Sequence, residues 1–320
     1  MISTMYIRNN TLGERVMLSS MYGRYIIDEV DWDSPSVEIN DYRIPFQVGT
    51  TFDSIIIGSR EPVITGYVVA NLDNETSLGL TWAEYYEKQK KQIEKYKGLL
   101  SKVINPYHEC VITVVADSNR YLTVRPSAPV KFSSTYENNN EVLCKFKISL
   151  KALDPMFRKS QVTESSAHVD NMFRFPMVLT ATKKDEYVVF GNNVKRDYAS
   201  VTNDGDVPVG CDITIKAIGG SVGNPKILKV NTGEFIEFDG VQIDDGDSYL
   251  IRTTIGKEYA YTKTGTEGKL TNIIPYLVTG STFLKVDVGE EVFQIKAGSG
   301  NKYMQMNIKF QPRYYNFEEM

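Results

Sequence analysis

Apolar positions recur at every second residue from Val142 to Ala152. Val142, Cys144, Phe146, Ile148, Leu150 and Ala152 alternate with mostly polar neighbours. A period of two predicts a strand with one face in a core. The pattern stops at Asp154-Pro155-Met156-Phe157, close to the middle of the chain. We read Asp154, Pro155 and Phe157 as a domain junction.

Upstream, residues 25–69 are strand-like, with breaks at Ser34-Pro35, Ile44-Pro45, Gly49 and Glu61-Pro62. Residues 52–57 and 63–69 are rich in β-branched side chains and predict strands. The period then changes. Trp82, Tyr85, Tyr86, Gln89, Ile93, Tyr96, Leu100 and Val103 recur at steps of three and four. This spacing predicts a helix over 81–104 whose single apolar stripe lies across a sheet. Thr81 and Glu84 have the spacing of a capping box, and Leu80 and Tyr85 that of a hydrophobic staple. Pro106 disfavours helical geometry at Asn105 and ends the helix. Strands are expected again at 111–116, 121–124, 130–132 and 142–152.

The second half has no helical period. After the turn Asn203-Asp204-Gly205-Asp206, Val207, Val209, Cys211, Ile213, Ile215 and Ala217 alternate. Short strands are expected at 173–179, 226–230, 234–238, 248–253, 259–262, 282–288, 291–297 and 302–310. Turns rich in Gly, Asn and Asp separate most of them. Such spacing indicates a β-sandwich or jelly roll. The fold class is therefore mainly β with one long α-helix. The expected organisation is a first domain at 1–158, a linker at 159–171 and a second domain at 172–320.

Composition agrees. The 320 residues are 42% hydrophobic and 24% charged, with 20 Tyr, 14 Phe and 23 Gly. This balance suits two globular, turn-rich domains. A formal net charge of −4 argues against a dedicated nucleic-acid binder. Lys88, Lys90, Lys91, Lys95 and Lys97 read as a solvated helix face balanced by Glu87 and Glu94. Cys110, Cys144 and Cys211 are odd in number and far apart; Cys144 and Cys211 fall in apolar phase and read as buried free thiols. No apolar stretch is long enough to span a membrane, and the first residues lack a signal-peptide pattern. Synthesis in a reducing cytoplasm is expected.

Candidate chemistry is sparse. His108 and His168 have no metal-ligand spacing with each other or with a cysteine, so no metal or cofactor site is expected. Residues 219–223, Gly-Gly-Ser-Val-Gly, lack the Lys-Ser/Thr pair of a phosphate-cradling loop. Asp244-Asp245-Gly246-Asp247 lacks the late bidentate Glu of a calcium loop and reads as a hairpin turn. No carboxylate pair stands out for sugar hydrolysis. No catalytic residue is assigned and the chain is not expected to be an enzyme. Tyr259, Tyr261, Tyr303, Tyr314 and Tyr315 could form an aromatic surface for a glycan or a protein partner.

The order of these features resembles the distal tail proteins (Dit) of long-tailed bacterial viruses, the siphovirus-type tail components. Three places carry the likeness. One is the helix through Tyr96, Leu99-Leu100, Val103, Ile104 and Asn105-Pro106 into the next strand. Another is the strand closing in Leu153-Asp154-Pro155-Met156-Phe157. The third is Asn203-Asp204-Gly205-Asp206 before an alternating strand, then Asn231-Thr232-Gly233, a Gly-Asp turn before Tyr249, and Pro312-Arg313-Tyr314-Tyr315. The family's closing hairpin often reads Pro-Gly-x-Asn, where this chain has Asp287-Val288-Gly289-Glu290-Glu291.

The resemblance implies a first domain that builds a homohexameric ring around a DNA channel at the tail tip of the virion. It implies a second, galectin-like domain, similar to carbohydrate-binding modules, that projects outward. The implied partners are the tail tube protein, the tail-associated lysin or hub protein, and receptor-binding or baseplate proteins. DNA would pass through without specific binding. The alternative is a carbohydrate-binding module of the tail tip that recognises a host cell-wall glycan.

Overall fold

The computed structural model describes residues 4–70, 81–115, 120–135, 137, 139–140, 142–159, 163–167, 169–171, 193–195, 197–265 and 267–317. It is mainly β, with one α-helix among the described residues. The chain forms two compact units. The first holds the described residues up to 159 together with 314–317, and the second holds those from 163 to 313.

The first unit is built on a ten-stranded sheet. Its order is Arg313–Tyr314, Phe157–Lys159, Arg120–Pro126, Cys110–Val114, Thr4–Asn9, Arg15–Ser19, Tyr25–Asp31, Val63–Val69, Leu143–Lys151 and Lys131–Phe132. The sheet also closes on itself, because Leu150 and Lys151 pair with Pro126 and Arg125. Closure leaves fewer unpaired edges. The alternating residues Cys144, Phe146, Ile148, Leu150 and Ala152 all point into the core. Ala152 then bridges to Arg60, with reciprocal backbone hydrogen bonds of 2.8 and 3.0 Å.

The helix Trp82–Val103 starts at a capping box. The Thr81 hydroxyl accepts from the Glu84 N–H, while the Glu84 carboxylate accepts from the Thr81 N–H at 2.9 Å. The second interaction holds the Glu84 carboxyl below its usual range. Leu80 of the expected staple lies outside the described residues. Gln89, Ile93, Tyr96, Leu100 and Val103 are buried, so the stripe packs as its spacing requires. Its first turn does not: Trp82 is 77% exposed and Tyr86 is also exposed. The expected stripe is therefore one turn too long.

A hairpin of Thr4–Asn9 and Arg15–Ser19 lies in the middle of the sheet, before the first expected strand. Met5, Ile7, Val16 and Leu18 are buried. Asn9 fixes its turn, its Oδ1 accepting from the N–H groups of Thr11 and Leu12 at 3.0 Å. The Asn9 Nδ2 donates to the carbonyl of Val103 at 2.9 Å and so anchors the open C-terminal end of the helix.

The second unit is a β-sandwich. One sheet runs Thr163–Ala167, Met304–Phe310, Val209–Ala217, Ser248–Arg252, Tyr259–Thr264 and Lys269–Asn272, with Lys285–Val286 also paired to Val209–Ala217. The other runs Tyr198–Asn203, Gly289–Ser299, Val222–Lys229 and Phe235–Glu237, with Gln242–Ile243 on Val222–Lys229. Side chains such as Ile213, Tyr249, Phe238, Phe293 and Ile308 fill the core. The strand expected over 282–288 shrinks to Lys285–Val286, and the last long strand begins at Met304 after the 3-10 turn Asn301–Tyr303. The strand expected at 173–179 lies outside the described residues.

Two turns are organised by their own polar side chains. Asn203 is buried; its Oδ1 accepts from the Gly205 N–H at 3.0 Å and its Nδ2 donates to the Val207 and Val286 carbonyls. A Cβ at Gly205 would stand 2.7 Å from the carbonyl oxygen of Arg313, and the Asp206 N–H donates to that oxygen at 2.8 Å. The turn therefore grips the chain where it leaves the sandwich. The acidic stretch 244–247 is a turn: the Asp245 carboxylate accepts from the Gly219 N–H at 2.6 Å and the Asp247 carboxylate from the Gly265 N–H at 2.9 Å.

Asp154 and Pro155 turn the chain, and Phe157 opens a further strand, Phe157–Lys159, paired to Arg120 and Tyr121. Met156 and Phe157 are buried in the first unit. Phe157 is thus a core residue, with Asp154 paired to Arg158 beside it. Where the sequence reading carried the second domain to 320, residues 314–317 lie with the first unit.

Candidate functional site

Between Asp31 and Gly58 the first unit extends a separate two-stranded hairpin, Val37–Tyr42 against Thr51–Ile57. None of its strand residues is buried. Val37, Ile39, Tyr42, Phe52, Ile55 and Ile56 are all exposed, as are Phe46 and Val48 at the tip. A lone hairpin is marginal in water, and an apolar patch of this kind marks an interaction surface. At the tip, Pro45 and Phe46 occupy the middle of a turn closed by the Gln47 N–H on the Ile44 carbonyl at 3.2 Å. Phe46 has φ of 67°, a left-handed conformation that a bulky residue adopts only at a cost.

The second surface is the outer face of the six-strand path of the sandwich. Tyr259 and Tyr261 sit two apart on one strand, both half-buried, with ring centroids 5.3 Å apart. Arg252 lies opposite Tyr259 in the ladder and places its guanidinium 4.9 Å from the centre of that ring. The Asp212 carboxylate, on the next strand, accepts from Arg252 Nε and Nη2 at 2.6 and 2.8 Å. That bidentate pair orients the guanidinium and raises its pKa. Arg252 and Asp212 had no place among the sequence candidates; only strand register aligns them with Tyr259.

The other tyrosines lie elsewhere. Tyr303 packs over Gly220 against the sandwich core. Tyr314 is buried in the first unit, with the Arg120 guanidinium 3.6 Å from its ring centre. Tyr315 is in the same unit and its carbonyl accepts from Arg60 Nη2 at 2.7 Å. The five candidates therefore give one adjacent pair, Tyr259 and Tyr261.

Among the described residues no group of His, Cys, Asp and Glu could hold a metal ion. His108 contacts Asn9 at 3.2 Å, and His168 lies outside the described residues. Cys110, Cys144 and Cys211 are free and buried. Burial pushes the Cys110 and Cys211 thiols up to about 11, which makes them poor nucleophiles. No helix among the described residues is long and apolar enough to cross a membrane.

No protein-family model matches the sequence, and no curated protein sequence matches it. The structure aligns with the crystal structure of SPP1 Dit, described as a paradigm of the hub adsorption apparatus in phages that infect Gram-positive bacteria. The alignment covers 96% of this chain and 98% of that one, with a TM-score of 0.59 and 12% identity. The fold is Dit-like. Chains of the phage P2 baseplate in its activated conformation, with Ca and with Sr, align over 97% and 96% of this chain and 98% of theirs. Their TM-scores are 0.42 and 0.40 and their identities 11% and 10%; the assignment of fold rests on SPP1 Dit alone. At 96% coverage of this chain, the Dit-like fold takes in both units.

Proposed function

We propose that this protein is a structural hub of a phage tail tip, which assembles as a homohexameric ring. The observation that carries this reading is the end-to-end likeness to SPP1 Dit, over nearly the full length of both chains. The first unit builds the ring around the DNA channel. On one side the ring meets the tail tube protein, and on the other the tail-associated lysin or hub protein. The galectin-like second unit faces outward and holds receptor-binding or baseplate proteins. The protein has no catalytic role, acts in the virion, and is made in the host cytoplasm.

The exposed hairpin supports this reading. A closed ring needs a head-to-tail interface with two different patches on each copy. An apolar arm that cannot bury itself on its own unit is suited to be one of them. The net charge of −4 suits a channel through which DNA must slide without being gripped. Native mass spectrometry with negative-stain imaging tests the ring, and Val48→Asp in the arm tests its role. The expected result is six copies for the parent protein and smaller species for the variant at unchanged folding stability.

A second reading is favoured by one arrangement, the Tyr259–Tyr261 pair flanked by the fixed Arg252 guanidinium. Adjacent tilted rings with a charged neighbour are suited to sugar faces and their hydroxyls. Sedimentation of the full chain with purified cell walls tests it. Saturable binding lost in Tyr259→Ala and Tyr261→Ala would support a glycan-recognising surface; no binding by the parent would end that reading.

A further inference from the structure

The exposed hairpin of the first unit has one apolar face. In its ladder Val37 stands opposite Ile57, Ile39 opposite Ile55 and Asp41 opposite Phe52. Side chains alternate across a strand, so these pairs share one side of the hairpin. The other side carries Glu38, Asn40 and Ser54, with the Asn40 Nδ2 donating to the Ser54 hydroxyl at 3.1 Å. The arm is also acidic, since residues 37–57 hold Glu38, Asp41 and Asp53 against Arg43 alone. Asp41 is the charge that falls on the apolar face.

The same unit has a concave surface of the opposite charge. A groove of about 590 Å³ is lined by apolar side chains that include Tyr6, Met17 and Leu99, together with Arg15 and Arg24. Glu14, the one acid of this lining, is paired to Lys102. Arg8 stands directly opposite Arg15 in the ladder of Thr4–Asn9 and Arg15–Ser19, and both are exposed. Like charges placed so are destabilising. Arg15 and Arg24 lie 5.2 and 4.9 Å from the ring centres of Tyr6 and Tyr96. Neither they nor Arg8 has an ion pair with a carboxylate among the described residues. Uncompensated positive charge beside an apolar floor favours an occupant that is apolar and acidic.

The arm and the groove lie at opposite ends of one strand. Tyr25–Asp31 starts at the groove, which Arg24 and Tyr25 line, and ends where the chain departs for the hairpin. Seven extended residues span about 23 Å. A donor surface at one end and an acceptor surface at the other is a head-to-tail arrangement, which gives each copy two different patches.

We propose that the arm of one copy seats its Ile39, Ile55 and Phe52 face in the Tyr6, Met17 and Leu99 groove of the next copy, with Asp41 against Arg15, a pairing that rests on the ring reading. Repeated around the ring, this one contact uses both patches of every copy.

Two charge reversals in the full chain test it by native mass spectrometry. Asp41→Arg sets a basic arm against a basic groove, and Arg15→Glu sets an acidic arm against an acidic groove. Each variant alone is expected to lose the hexamer at concentrations where the parent assembles, because like charges then meet at the contact. Arg15→Glu also relieves the repulsion between Arg8 and Arg15. Its melting temperature is therefore expected to be unchanged or higher, which separates lost association from lost folding. Mixed in equal amounts, the two variants are expected to form six-membered assemblies again. Each arm then meets a groove of opposite charge on the other variant, and an even number of copies can alternate. Hexamers from either variant alone would overturn the pairing and leave the ring standing. Variants that fail to assemble alone and also fail on mixing would overturn it as well. A parent that stays monomeric would remove the ring reading and this contact with it.

Discussion

Arg60 donates from Nη2 to the carbonyl oxygen of Tyr315, 2.7 Å away and 255 positions later in the chain. Arg120 makes the companion bond to the carbonyl of Asn316 at 2.8 Å. Two buried guanidiniums thus hold the closing segment 314–317 on the first unit, after the chain has built the whole sandwich. A hydrogen bond to a charged donor contributes about 1.5–3 kcal/mol, and stacking on Phe157 adds about 1 kcal/mol. Arg60→Ala is expected to destabilise the first unit by about 3 kcal/mol. Denaturant unfolding followed by Trp32 fluorescence in the Trp82→Phe background measures it.

Phe46 stands at the hairpin tip with positive φ and its ring in solvent. Glycine tolerates that conformation freely, whereas a residue with Cβ is disfavoured by about 1 kcal/mol. A position that is strained and exposed at once is better explained by what it binds than by what it stabilises. Phe46→Gly is therefore expected to leave thermal stability unchanged or slightly higher while weakening self-association. Analytical ultracentrifugation beside a thermal melt separates the two effects. A loss of stability with association intact would contradict the assignment of the arm as an interface.

Lys229 is 1% exposed, in ionic contact with Asp287 and 3.6 Å from Glu291, itself buried. Removing one partner of a buried ion pair costs about 3–5 kcal/mol, because the remaining charge is stranded. Lys229→Met is expected to destabilise the sandwich by that amount. Adding Glu291→Gln should restore part of the loss, since it removes one stranded carboxylate. A double-mutant cycle by urea unfolding measures the coupling.

Cys211 is buried, and burial raises its thiol from 9.0 to about 11. Between these values the unfolded chain has lost a proton that the folded chain keeps, so stability falls as pH rises through that window. Below about pH 9 the thiol is protonated in both the folded and the unfolded chain, so its contribution to stability is fully present and does not vary with pH. The expected slope is up to about 1.4 kcal/mol per pH unit between pH 9 and 11. Urea midpoints for the parent and Cys211→Ala should converge across that range as the parent loses its advantage.

Much of the fold was legible because single faces were buried. The strand through Phe146 and the helix stripe from Gln89 to Val103 follow from spacing alone, and the Thr81–Glu84 cap from two residue types. The stripe was overread at Trp82 and Tyr86, where apolar character serves an exposed surface rather than the core. The hairpin Thr4–Ser19 has the same alternation as later strands and a turn held by Asn9, yet its short strands were lost among polar residues. The return of Tyr314–Phe317 had no local signal, since its partners Arg60 and Arg120 are brought to it by topology. Tyr259 and Tyr261 were visible as an alternating pair; Arg252 and Asp212 became their neighbours only through register.

The central claim is a closed hexameric ring, and the mass of the native assembly tests it most directly. Native mass spectrometry of the full chain, with negative-stain images of the same sample, is expected to give six copies around a central hole. A strict monomer at every concentration tested would contradict the account.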